Sequence, residues 1–199
     1  MLLYDLSDIG SDIKKYAEII ELLHTDTDIS KDKKFQQLFN GFYKINQLNK
    51  QWYTNFYNYF ESVKNSEPSF EQAVRDLYNL NNQSRVDASF CSKLIATINP
   101  DKPIIDQYIM WQMGYNTKFA DGLKGEEKIC YYINAYAEIE NQYMAHIHDK
   151  AVIVAITDFD SKYPDYQWLS VIKKLDFILW SYRAPRTFSV FEYNKLKEG

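Results

Sequence analysis

Apolar residues recur at three- and four-residue spacing along most of this chain, a period that predicts helices. Ile13, Tyr16, Ile19, Ile20 and Leu23 share one face of a segment from about Asp12 to Leu23. Phe35, Leu38, Phe39 and Phe42 form the stripe of a second helix, with Ser30 as its expected cap. A third, about Gln51 to Val63, buries Trp52, Phe56, Phe60 and Val63. Ser69 followed by Gln72 is a capping box that opens a fourth, with Phe70, Val74 and Leu77 inward. Phe90 to Ile98 and Gln107 to Met113 are two short helices, and the glycine-bearing stretch Asn116 to Gly125 reads as a loop. A long tyrosine-rich helix covers about Glu126 to Met144, and the last strong one Gln167 to Tyr182, with Leu169, Ile172, Leu175 and Leu179 inward.

One segment admits two readings. In AVIVAITDFDSKYP, Val152, Ile153, Ile156 and Phe159 fit helical spacing, and Pro164 stops it. The same β-branched run suits a strand that delivers Asp158 and Asp160 to a metal, as in phosphatase-like folds. No threonine completes such a motif and no partner strand is evident, so helix is favoured. The fold class is therefore all-α, a compact multi-helix bundle, with residues 1–199 read as one domain.

Composition narrows the function classes. Hydrophobic residues at 46% and charged residues at 25% are globular values, so the chain must bury a core. A net charge of −4 argues against a protein coated in positive charge. The start, MLLYDLSDIG, carries Asp5 and Asp8 where a secretory leader needs positive charge, and Ala151 to Ile156 is too short to span a bilayer, so a cytoplasmic protein is expected. Cys91 and Cys130 lie in apolar helical contexts and suit reduced core thiols. The 17 tyrosines and 12 phenylalanines are read mainly as core and half-buried rim.

The candidate chemistry lies in SFCSKLIATINPDKPIIDQYIMWQMG, residues Ser89 to Gly114. On a helical wheel Phe90, Cys91, Leu94, Ile95 and Ile98 share one side, and Lys93 falls opposite with Ser92, Ala96 and Thr97. Pro100 and Pro103 then end the helix. At ~3.3 Å per extended residue, the stretch from Asp101 can return beside the helix and bring Asp106 near Lys93. Asp106 is also a natural N-cap for the helix at Gln107, where backbone amides and the helix dipole favour negative charge.

The order of lysine helix, tight turn, short apolar stretch and aspartate at a helix start, in SKLIATINPDKPIIDQYI, resembles the catalytic core of the helix-hairpin-helix DNA glycosylases. VIKKLDFILWSYRAP, Val171 to Pro185, is similar to the helix that follows it in relatives of that superfamily. The resemblance is to a divergent member: the residues ahead of the lysine, VDASFCSK, lack the hairpin glycines whose amides grip a DNA phosphate. It implies an orthogonal helical bundle with a cleft near residues 89–114. It also implies a DNA partner, no cofactor, and excision of a damaged or modified base. By that resemblance Asp106 stabilises a sugar cation or orients water as the base is lost, and Lys93 serves as a nucleophile on the sugar, as in the bifunctional members, or as a phosphate-facing cation. Tyr108, Trp111, Arg183 and Arg186 are the candidate substrate-binding residues, the two arginines within a locally basic C-terminal end. The competing expectation is the same fold without catalysis, an interaction module for nucleic acid or protein. His146, His148 and Asp149 offer metal-ligand types, but two histidines two residues apart point away from each other on a helix, and no metal site is read. Asp176 is either a second pocket carboxylate or the partner of a surface lysine one turn away.

Overall fold

The computed structural model describes residues 4–46, 49–115 and 117–181. Among these residues every regular element is helical. The chain runs α1 (Gly10–Leu23), α2 (Lys33–Tyr43), α3 (Lys50–Val63), α4 (Phe70–Leu80) and α5 (Ala88–Ile98). It continues through α6 (Gln107–Gln112), α7 (Thr117–Asp121), α8 (Gly125–His146) and α9 (Lys150–Lys162) to a 3-10 turn at Pro164–Tyr166 and α10 (Val171–Ser181). Residues 151–160 are thus helical, and the strand reading falls.

Side chains cap the starts of α2, α3, α4 and α6. Asp32, not Ser30, caps α2: its carboxylate accepts from Lys34 N at 2.8 Å and Phe35 N at 3.1 Å, while the Ser30 hydroxyl is spent on Asp28. Asn49 caps α3 through Trp52 N at 2.7 Å, and the Ser69 hydroxyl caps α4 through Gln72 N. Lys44, at φ 52°, closes α2 in the left-handed region. The stretch read as a loop, 116–125, contains α7. The start of α10 moves to Val171 because the chain after Pro164 makes a 3-10 turn that leaves Trp168 exposed.

One continuous apolar cluster joins Leu6 to Leu179. α1 packs on α2, α4 on α5 and α8, and α9 on α10. Between α2 and α3 the core is aromatic, with Phe35, Phe39, Phe56 and Phe60 fully buried and in ring contact. Cys91 is buried, but Cys130 is exposed, because it falls on the outer side of α8. On the same helix Tyr136 and Tyr143 are core, and Tyr131 and Tyr132 are half-buried.

Two helices are buried all round: α5 from Cys91 to Thr97, and α10 from Ile172 to Leu179. These are the two segments that carried the glycosylase resemblance. Lys93, on the side of α5 opposite Cys91 and Leu94, is only 6% exposed. A helix enclosed on every side must pair its polar residues internally.

The segment between α5 and α6 is buried without regular structure, and side chains satisfy its backbone. Pro103 O accepts from the Tyr136 hydroxyl at 3.2 Å, Ile104 N donates to Asp176, and Ile105 N donates to the Ser92 hydroxyl at 2.9 Å. The chain thus doubles back against α5, as the two prolines predict. Ser92→Ala leaves the Ile105 amide unpaired in the interior, and urea denaturation is expected to show a loss of about 1–3 kcal/mol. A change under half that size would mean water replaces the hydroxyl.

Candidate functional site

The bend that Ser92 and Ile105 pin together brings Lys93 and Asp106 into one neighbourhood from two helices. Lys93 extends from the middle of α5 to the end of α2, where its amine donates to Tyr43 O at 3.4 Å. It lies 5.4 Å from the Phe90 ring centroid and 6.0 Å from that of Tyr43. Burial holds the amine below the usual lysine range, with the charge of Asp106 opposing the shift.

Asp106 caps α6. One carboxylate oxygen accepts from Tyr108 N at 2.8 Å and Ile109 N at 2.9 Å, and the other accepts from the Trp180 indole at 2.8 Å. Trp180 in turn packs on Phe42 and Tyr43, with ring centroids 5.6 and 6.2 Å apart. Lys93 and Asp106 therefore flank the Tyr43–Trp180 pair, one on the Tyr43 carbonyl and the other on the indole. They interact through space: among the described residues the one polar contact of the amine is that carbonyl.

Asp106 also lines a hollow of about 210 Å³, with Asp121, Ser89, Gln107, Met110 and Tyr132. Small-molecule sites have volumes of roughly 300–1,000 Å³, so this one is small. Lys93 does not line it. Tyr108 and Trp111 are half-buried on α6 and do not line it either. Arg183 and Arg186, with the basic C-terminal end, lie outside the described residues.

A second buried polar centre lies beneath the first. The Lys173 amine donates to Asp176 at 2.8 Å, and both side chains are almost wholly buried. The Tyr143 hydroxyl donates to the other oxygen of Asp176 at 3.1 Å, and the Lys173 amine sits 5.1 Å from the Tyr16 ring centroid. Burial pushes the Asp176 carboxyl up, against the pull of Lys173. Burial also works against the charge of Lys173, but Asp176 beside it outweighs that and holds the amine above its ordinary range. Asp176 is thus neither a pocket carboxylate nor the partner of a surface lysine: its lysine is in the core. The signal was present in KKLDFIL, where Lys173 and Asp176 lie three residues apart within an otherwise apolar helix.

Tyr43 joins the two centres. Its hydroxyl pairs with Thr97 at 3.0 Å, and Thr97 donates to Lys93 O at 2.7 Å. Burial raises the Tyr43 phenol, with the nearby Lys173 charge opposing. Three helices, α2, α5 and α10, are thereby tied through polar groups in a dry interior.

Among the described residues no three His, Cys, Asp or Glu side chains are grouped to hold a metal, and the His146 ring is paired with Asp149 at 2.8 Å. No helix among them is long and apolar enough to cross a membrane. Comparison with family models, curated proteins and solved structures gave no match.

Proposed function

We propose that this chain is an interaction module built on a glycosylase-like helical arrangement, and not an enzyme that works through Lys93. The observation that carries this reading is the setting of the Lys93 amine. It is enclosed by the Phe90 and Tyr43 rings, bonded to a backbone carbonyl, and absent from the wall of the Asp106 hollow. A nucleophile must reach an extruded sugar, and this amine is closed off from one. DNA is the partner the resemblance brings forward, and a chain of net charge −4 would bind it weakly and with strong salt dependence.

The test is borohydride trapping and base release on duplexes carrying a panel of damaged bases, with anisotropy of the same duplexes at two salt concentrations. The expected result is salt-sensitive binding with no adduct and no release. An adduct that disappears in Lys93→Ala overturns the proposal.

A second reading keeps catalysis with Asp106 alone. It is favoured by the carboxylate's place in the hollow beside Tyr132 and by the three donors that fix its orientation. Base release without trapping, abolished in Asp106→Asn, would support it.

The burial of Lys93 also predicts a pH dependence. Its lowered pKa means that the unfolded chain binds the proton more readily than the folded one. The charged lysine therefore costs stability at neutral pH, and the cost shrinks as pH rises from the folded value toward about 10.4. Lys93→Met is expected to be more stable than the wild type at pH 7 by roughly 1 kcal/mol or more. Thermal unfolding from pH 7 to 10 should show that advantage narrowing; destabilisation at pH 7 would contradict it.

A further inference from the structure

On the other side of the aromatic layer, between α2 and the start of α3, lies a larger hollow of about 420 Å³. This volume falls within the roughly 300–1,000 Å³ of small-molecule sites. Lys33 and Lys50 line it, together with the carboxamides of Gln36, Gln37, Asn40 and Asn49, and among the described residues no carboxylate does. In a chain with an excess of acidic residues this is a local reversal of sign.

Among the described residues neither lysine is held in an ion pair. Lys31 and Lys34, their neighbours in KDKK, pair with Asp28 and Glu18. Among the described residues the Lys33 amine makes one hydrogen bond, a long one of 3.5 Å to the Gln36 carboxamide oxygen, and Lys50 forms no ion pair.

Two of the carboxamides are set as donors, whereas the Gln36 NH₂ is spent on Ile29 O at 3.0 Å and Ser30 O at 2.7 Å. The Asn40 oxygen accepts from the Tyr57 hydroxyl at 2.7 Å, and the Asn49 oxygen accepts from Trp52 N at 2.7 Å. Each bond fixes which end of the amide is oxygen, and among the described residues the NH₂ end has no partner. The wall therefore offers two ammonium groups and two oriented amides, beside the positive end of the 14-residue helix α3. Such a surface matches a ligand that offers acceptors, an anionic group among them, and a bare anion would leave most of the volume empty.

We propose that this hollow binds a small phosphate ester with a polar, hydroxyl-bearing body, of the sugar-phosphate class. The phosphate sits between Lys33 and Lys50, and the carboxamides of Asn40 and Asn49 hydrogen-bond its oxygens or the hydroxyls of the body. The proposal stands apart from the reading of Lys93 and Asp106, since neither residue lines the hollow.

The test is titration of the full chain with ribose 5-phosphate, inorganic phosphate and ribose, followed by the side-chain amide NMR signals of Gln36, Gln37, Asn40 and Asn49. Ribose 5-phosphate is expected to shift these signals at lower concentration than inorganic phosphate, with ribose inactive. Lys33→Gln/Lys50→Gln should weaken binding by about tenfold or more. Asn40→Asp keeps the acceptor for Tyr57 and adds a negative charge, so it should abolish binding while the fold persists. Lys14→Gln/Lys150→Gln, which removes two exposed lysines elsewhere, should leave binding unchanged. Three results overturn the proposal: no shifts at concentrations up to about 10 mM, equal shifts with ribose, or equal weakening in the Lys14/Lys150 control.

Discussion

Lys173→Ala is expected to lose about 3–5 kcal/mol of unfolding free energy, the cost of leaving a buried charge without its partner. Asp176 would then sit 3% exposed with only the Tyr143 hydroxyl and the Ile104 amide to stabilise it. The carboxylate's simplest escape is to take up a proton, so the loss should be smaller at acidic pH than at neutral pH. Removing the pair together has a different result: in Lys173→Met/Asp176→Leu no charge is stranded, and most of the lost stability should return. Urea unfolding of the two single variants and the double variant closes a cycle that isolates the pair. A cost below about 1 kcal/mol for Lys173→Ala would mean that water reaches the site.

Phe39→Ala is expected to cost a similar amount, about 3–5 kcal/mol, for an apolar reason. Its ring is fully buried and touches those of Phe35, Tyr43, Phe56, Tyr57 and Phe60, the nearest centroid lying 4.8 Å away at Tyr43. Five rigid rings cannot collapse into the vacated space, so the cavity term adds to the lost transfer energy. Phe39→Leu should keep more than half of the lost stability. Because Tyr43 is one of the five and also receives the Lys93 amine, Phe39→Ala should loosen the polar centre too. Faster hydrogen exchange at the end of α2 would report this.

The helices nearest the N-terminus were readable because each shows the interior one face. In α1 the buried positions Ile13, Tyr16, Ile19 and Leu23 keep the helical period, and the exposed positions Ser11, Lys14, Lys15 and Glu21 are polar. The same logic failed for α5 and α10. There Lys93, Ser92, Thr97, Lys173 and Asp176 look like a wet face on a wheel, yet packing on every side encloses them. α7 was missed because five residues beside Gly122 carry too short a period to register. Asp32 displaced Ser30 as a cap since both are competent and only the path of the chain selects one.

The bend between Lys93 and Asp106 was legible from Pro100 and Pro103, which force the chain out of helix with reach enough to return. How open the amine is was not legible. It is set by Phe90 from its own helix and by Tyr43 from α2, 50 positions earlier in the chain. The hollow beside Lys33 and Lys50 was equally hidden, because its donor character depends on which carboxamide oxygens Tyr57 and Trp52 occupy.

By itself, then, the sequence determined an all-helical chain with an aromatic core and a proline-driven return, since local period and backbone restriction act between near neighbours. Tertiary structure alone decided which charged side chains are enclosed and which hollows carry a usable sign. Burial and partner choice are properties of surfaces brought together from distant segments, and no local pattern encodes them.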